Sequence, residues 1–531
     1  MTDEQPEVTG PPERVRIARN LASSYGLQGL LGLSTLLLTP YLFRQLGIGG
    51  FGTWSVMFTI TTVFTLVETG VSSGISKYVA EYRARDQGPD LRATIYGGAV
   101  LLAAFGALAL LVSAAIAFFA TGLAASGQED DFRTGMLILG AAMAFRFPFD
   151  SFGATLAGDQ RFDLFNAAQA AMTIAFPVAA VIAVESGAGV LGVAVAYAIA
   201  LVLGALLFSV LLFRSDPSLL RGSRAGIRRG LGRLSGFSSF ALLAESMAFI
   251  GQRMDTLVIA TIRGASAAAP FAAAVKLQSG LQSFTLPFVV QLMPMTSDLW
   301  ARGQRSEVVR RFILATRVAL QITLPLGAGL ALFATDVIDL WLGDSAPAVA
   351  ARILVILAVV QIVVLAISPA QMVLVGVGRV RAVGAISTLS GLSNLGLSIV
   401  LVSSHGAIGA ALGTLFTTVL VLPVLFPIAC RAVNSSTAAF LRDGIGIALL
   451  SSIPGVAVMA ALRLSLPAGA GRLVIGVTVG LAICAAVGIS QVGVGQLRAG
   501  LRGIRRMPRP AEASSGQAPD ELNRLSQPDQ A

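Results

Sequence analysis

The chain has 531 residues, of which 55% are hydrophobic and only 12% charged, with a mean hydropathy of +0.78 and a formal charge of +10. That balance excludes a soluble globular domain. The cations are dispersed through short loops between apolar runs, which points to anionic lipid headgroups as their partners and away from nucleic acid.

Residues 1–18 begin "MTDEQPEVTGPPE", acidic and Pro-rich and so unlike a cleaved basic leader, and are expected to form a disordered cytoplasmic N-terminus. Apolar runs bounded by Gly, Pro and charge then predict fourteen transmembrane helices. They lie near 20–43, 52–74, 93–121, 132–156, 162–184, 189–213, 235–262, 271–297, 309–334, 349–376, 380–401, 406–430, 440–462 and 470–492. The runs lack two-residue alternation, so the fold class is all-α and polytopic rather than a barrel.

With the N-terminus inside, one face receives Arg14, Arg16, Arg19, Lys77, Arg83, Arg85 and Arg92, and later Arg302, Arg305, Arg379, Arg381, Arg431 and the cluster from Arg498 to Arg509. The opposite loops are poor in cations and twice acidic ("GQEDDF", "TDVIDLWLGD"), which predicts an N-in, C-in topology. No loop is long enough for a catalytic domain. Cys430 and Cys484 lie in apolar segments and read as packing residues, and His405 occupies a short turn. With no metal, triad or nucleotide-loop spacing, neither enzymatic activity nor a cofactor is expected.

Two stretches rhyme: "PFDSFGATLAGDQRFDLFNA" (148–167) with "PAQMVLVGVGRVRAVGAIST" (369–388), and "ESGAGVLGVAVAYAI" (185–199) with "SSHGAIGAALGTLFT" (403–417). The offset is 218 residues from Gly158 to Gly376 and from Arg161 to Arg379, and 217 from Gly192 to Gly409. Six helices per copy give both copies the same orientation, which predicts two parallel-related lobes with two helices added outside. The expected divisions are an N-lobe (19–213), a basic linker (214–234), a C-lobe (235–431), the last two helices (432–495) and a basic, then disordered cytoplasmic tail (496–531). Two lobes about a central site are the architecture of alternating access, so transport is the leading class of function.

Ionisable groups inside the spans are the candidate site. Arg146, Arg253, Lys276 and Arg317 are the cations able to meet an anionic headgroup, while Glu68, Asp150, Glu245 and Asp255 are the carboxylates for ion coupling or gating. Arg146 and Asp150 are four apart on one helix face across Pro148, and pairing with each other is the alternative to facing a cavity. In "AESMAFIGQRMDTLVIA" (244–260), Arg253 and Asp255 diverge around the helix, so each needs a partner elsewhere. Lys276 and Arg317 could instead snorkel to the two surfaces.

The segment 19–82, with Asn20, "LGIGGFGTW" and "ETGVSSGISKYVAE", together with "RFPFDSFGATLAGDQRF", "RMDTLVIATI" and "PMTSDLWARG", resembles the bacterial polysaccharide-biosynthesis exporters. These are the Wzx-type O-antigen flippases of the multidrug/oligosaccharidyl-lipid/polysaccharide superfamily. The resemblance spans about residues 15–430. It implies flipping of a polyprenyl-pyrophosphate-linked oligosaccharide across the bacterial cytoplasmic membrane, with glycan-assembly enzymes as further partners. The buried carboxylates and the lack of a nucleotide-binding loop point to ion coupling, and leave H+, Na+ and uncoupled movement open. The alternatives are an ion-coupled multidrug or cation antiporter of the same superfamily, a glycan polymerase or ligase, and a non-transporting scaffold for glycan assembly.

Overall fold

A computed structural model describes residues 13–220, 226–232, 234, 254–343 and 346–492. All regular structure among them is helical, as composition requires. The helices are α1 (Glu13–Ala84), α2 (Gly88–Phe119), α3 (Glu129–Gly158), α4 (Phe162–Glu185), α5 (Gly189–Ser215), α6 (Asp255–Arg263), α7 (Ala265–Val290), α8 (Leu292–Ala301), α9 (Arg305–Leu332) and α10 (Ala334–Leu342). They continue with α11 (Ala348–Gly376), α12 (Val380–His405), α13 (Ala407–Ala432), α14 (Ile447–Ser465) and α15 (Ala470–Val492), and a π-helical turn, Leu441–Gly446, leads into α14. The first helix begins already at Glu13, inside the stretch expected to be disordered.

Ten helices among the described residues are long and apolar enough to cross a membrane, so the chain is a multi-pass membrane protein. The ten differ from the fourteen expected spans for physical reasons. One of the ten, Gly26–Ala84, has 59 residues, far more than one crossing needs, and α1 is broken at Gly47, whose φ of 68° and ψ of 179° are not helical. Charge interrupts α3 at Arg146 and Asp150, small and polar residues dilute α7, and most of 235–262 lies outside the described residues.

The duplication read from sequence reappears in the helix boundaries. Starts at Gly88 and Arg305 are 217 apart; those at Phe162 and Val380, and at Gly189 and Ala407, are 218 apart. Gly264, 217 residues after Gly47, has the same kind of backbone (φ 86°, ψ 161°) and separates α6 from α7. Gly158 and Gly376 have the same task in each copy. A Cβ at Gly158 would sit 2.7 Å from the carbonyl oxygen of Ser76, and one at Gly376 would sit 2.9 Å from that of Met293. The second copy departs from the first at Gln291, where a turn divides α7 from α8, while its counterpart Gly74 stays helical.

In the first copy α3 packs centrally against α2, α5 and the arm 48–84; in the second, α11 packs against α9, α13 and α7. The two lobes meet through α1, which touches α6, α7 and α10. The pair α14–α15 is appended to α9, and Arg317 secures it by donating from Nε and Nη2 to the Asp443 carbonyl at 2.9 and 2.6 Å. That carbonyl lies within the π-helical turn.

On the far side of the appended pair, Arg472 holds the buried Asp336 of α10 in a forked pair, Nη2 to Oδ1 at 2.7 Å and Nε to Oδ2 at 3.1 Å, and the Gly469 amide adds a third donor at 3.0 Å. Removing the guanidinium strands a carboxylate that is 5% exposed. Arg472→Ala is therefore expected to lower stability by about 2 kcal/mol, seen as a lower midpoint of thermal unfolding in detergent.

Candidate functional site

A cavity of about 440 Å³ lies between the lobes. Its walls come from the first arm of α1 (Leu31 to Leu42), the second arm (Phe51 to Thr62), and from α4, α5, α6, α7, α11, α12 and α13. Helical spacing explains the first-lobe wall: Phe51, Trp54, Ser55, Phe58, Thr59 and Thr62 recur at three and four residues and so share one face. Hydroxyls on that face satisfy themselves within the helix, Ser55 donating to the Phe51 carbonyl at 2.7 Å and Thr59 to the Ser55 carbonyl at 2.7 Å. The wall can therefore be polar without leaving a donor stranded.

The end of the cavity marked by Gly47 and Gly264 is closed. A Cβ at Gly52 would lie 2.2 Å from the carbonyl oxygen of Ala265, so backbone meets backbone there. Beside this contact, Arg44 Nε donates to the Leu342 carbonyl at 3.1 Å and Nη2 to that of Trp341 at 3.2 Å, capping the C-terminus of α10 with a cation. The Trp341 indole donates in turn to the Leu36 carbonyl at 2.8 Å. All three ties join α1 of the first lobe to the second.

Of the expected site residues among those described, two line the cavity. Lys276 projects from α7 toward the first lobe, its Nζ 4.2 Å from the centroid of the Phe58 ring, a cation–π contact between lobes. Asp255, 4% exposed, begins α6 and accepts from Ser398 Oγ at 2.7 Å through Oδ1 and from Thr414 Oγ1 at 2.8 Å through Oδ2. Asn394 is a further hydrogen-bonding neighbour. The carboxylate and the two hydroxyl oxygens that converge here are hard ligands of the kind that suits a small cation.

Arg146, Asp150 and Glu68 lie behind the first-lobe wall. Arg146 Nε donates to Asp150 Oδ1 at 3.1 Å, which realises the pairing alternative, and its Nη1 reaches Sδ of the cavity-lining Met172 at 4.0 Å. Asp150 Oδ2 is buried without a hydrogen-bond partner. Glu68 accepts from Ser72 at 2.5 Å and is close enough to interact electrostatically with both members of the pair. One guanidinium thus faces two carboxylates in a buried place. Arg317, expected as a cavity cation, instead anchors the appended helices, because Asp443 offers it a carbonyl at the π turn. Glu245 and Arg253 lie outside the described residues.

At the opposite end of the lobes, Arg83 bridges Asp159 (2.9 Å) and Asp216 (2.6 Å), tying the ends of α1, α3 and α5 together. Burial raises the Asp216 carboxyl, but donation from Ser218 and Arg83 and the Arg83 charge outweigh it, holding the group below the usual carboxylate range.

Screening the spans for charge missed the aromatic and amide residues of the cavity. Trp54, Phe58, Phe176 and Tyr197 form a continuous cluster with centroid separations of 5.0 to 5.8 Å, and Gln278, Gln282, Gln361 and Gln371 face them from the second lobe. The available signal was polar residues at helical spacing in apolar spans, as in Gln278, Ser279 and Gln282.

Residues 17–300, more than half of the chain, match the family described as polysaccharide biosynthesis protein. The chain belongs to that family. The fold of this polysaccharide biosynthesis protein is similar to that of the lipid II flippase MurJ in an inward closed conformation, at 14% identity and a TM-score of 0.68, over 88% of this chain and 97% of MurJ. A multidrug resistance MATE family transporter of the MOP superfamily is similar in its inward-facing conformation, at 17% identity and a TM-score of 0.63, over 77% of this chain and 96% of the transporter. An outward-facing MATE structure gives 16% identity and a TM-score of 0.56, over 80% and 97%. At these identities the likeness shows a shared fold. No curated protein matches the chain.

Proposed function

We propose that this polysaccharide biosynthesis protein carries a polyprenyl-diphosphate-linked oligosaccharide from the inner to the outer leaflet of the bacterial cytoplasmic membrane by alternating access. The observation that carries the reading is the cavity between two duplicated lobes, lined by aromatic rings, hydroxyls and amides and closed at its Gly47 and Gly264 end by contacts that rigid rocking of the lobes would break. We take the chain to cross fourteen times, with both termini inside. In support, Arg83, Arg161, Arg302, Arg379 and Arg431 all stand at helix ends remote from Gly47 and Gly264, a distribution that favours taking that remote end as cytoplasmic and the closed end as external.

In this scheme the diphosphate enters from the cytoplasmic side and takes Lys276 away from the Phe58 ring, exchanging a cation–π contact for a charge-assisted hydrogen bond. The lipid tail stays in the bilayer, where it is already stable. The Asp255 cradle holds the coupling ion, Na+ by its donor chemistry, and the Glu68, Arg146 and Asp150 group, with a carboxylate in excess, offers a second place for H+ or Na+.

The test uses Trp54 as a built-in reporter on the cavity wall. Titrating the purified full-length protein with a short polyprenyl diphosphate is expected to change tryptophan fluorescence saturably. Lys276→Ala should weaken that binding by about tenfold, the size of one charge-assisted hydrogen bond. Equal affinity in both proteins would remove Lys276 from the diphosphate site.

A further inference from the structure

The two walls of the cavity differ in chemistry, and the difference names the cargo more closely. Resting on the reading above, we infer that the sugars nearest the diphosphate are neutral rings, stacked on the aromatic wall of the first lobe and hydrogen-bonded by the amides of the second. A pyranose has C–H faces and a rim of hydroxyls. The quartet Trp54, Phe58, Phe176 and Tyr197 supplies apolar ring surface for the face. Each carboxamide opposite supplies both donors and an acceptor, which matches a pair of adjacent hydroxyls.

One amide is poised for such a ligand. Gln361 is 1% exposed, lines the cavity and accepts from Gln278 Nε2 at 3.4 Å through Oε1, while its own Nε2 is buried with no hydrogen-bond partner. A buried donor left unmade is costly, and a hydroxyl oxygen placed there removes the cost.

Charge sets the selection against other cargo. An acidic sugar would bring a carboxylate into a cavity that already holds the diphosphate, with Lys276 the one cation among the described lining residues and already committed to that diphosphate. A lipophilic cation, which aromatic clusters often attract, meets Lys276 seated over Phe58. The neutral glycan is the cargo that both groups tolerate.

The experiment measures the affinity of the full-length protein in detergent, by native mass spectrometry, for four probes: bare polyprenyl diphosphate, the same lipid with a neutral disaccharide, the same with a disaccharide containing a uronic acid, and tetraphenylphosphonium. The neutral glycolipid is expected to bind about tenfold more tightly than the bare lipid, and the acidic one no better than the bare lipid. Phe176→Leu and Gln361→Leu should each remove most of the gain from the neutral disaccharide, and Tyr197→Phe should keep it. Equal binding of neutral and acidic glycolipids, or variants that weaken bare and glycosylated lipid alike, would overturn the neutral-ring inference while leaving the flippase reading intact. Tight binding of tetraphenylphosphonium with none of the three lipids would overturn both.

Discussion

Gly52→Val is expected to reduce transport to background while leaving the protein folded in the membrane. The added Cβ would need to occupy a point 2.2 Å from a backbone oxygen and 2.6 Å from the carbonyl carbon of Ala265, and neither atom can turn aside as a side chain would. Each lobe keeps its own packing, so the cost falls on the closed arrangement of the two lobes. Overpacking of this kind costs about 1–3 kcal/mol or more, enough to shift a two-state equilibrium about 5- to 150-fold toward the form open at this end. The check is a cysteine at Ser55 on the cavity wall, probed with an impermeant maleimide from the external side; the native cysteines, Cys430 and Cys484, are buried. Labelling should be slow in the parent and fast with Gly52→Val. Equal labelling would mean that the Gly52 contact does not close the cavity.

Asp255→Asn should abolish stimulation of transport by an ion gradient, a loss of about 10- to 100-fold in the stimulated rate. The substitution preserves shape and leaves an oxygen to accept from Ser398 or Thr414, so the cradle persists without its charge. Substrate movement down its own gradient should continue, because Lys276 and the aromatic wall are untouched. The measurement compares uptake into proteoliposomes with and without imposed Na+ or pH gradients. Intact stimulation in the variant would move the coupling role to Glu68 and Asp150.

These expectations show which parts of the protein can be read in one dimension. The duplication was legible because glycine spacing records a geometric need: Gly158 and Gly376 recur at 218 residues since each must lie on a helix backbone near residue 76 or 293. The pairing of Arg146 with Asp150 was legible as an alternative, because four-residue spacing puts both on one face. Which alternative holds depends on whether that face turns toward the cavity or away from it, and the packing of α3 against α2 and α5 decides that in three dimensions.

The role of Arg317 was hidden for a different reason. Its partner is a main-chain carbonyl exposed by a π turn more than a hundred residues later, and no side-chain pattern announces such a group. The aromatic quartet was hidden because Trp54 and Phe58 come from one helix, Phe176 from a second and Tyr197 from a third. Each alone reads as ordinary apolar filling of a membrane helix. Only the packing of α1, α4 and α5 makes them one surface. The intramembrane charges, by contrast, were conspicuous by type but not by function, since a charge inside a span can serve a cavity, an ion or a helix contact equally well.

The most direct test of the account is movement of lipid in a purified system. Full-length protein in liposomes, supplied with a labelled polyprenyl-diphosphate oligosaccharide on one leaflet, should carry it to the other at a rate well above that of protein-free liposomes, and Gly52→Val should abolish the difference. Transfer no faster than in protein-free liposomes, from a preparation that still binds the lipid, would contradict the central claim that the duplicated lobes rock about this cavity to move a glycolipid across the membrane.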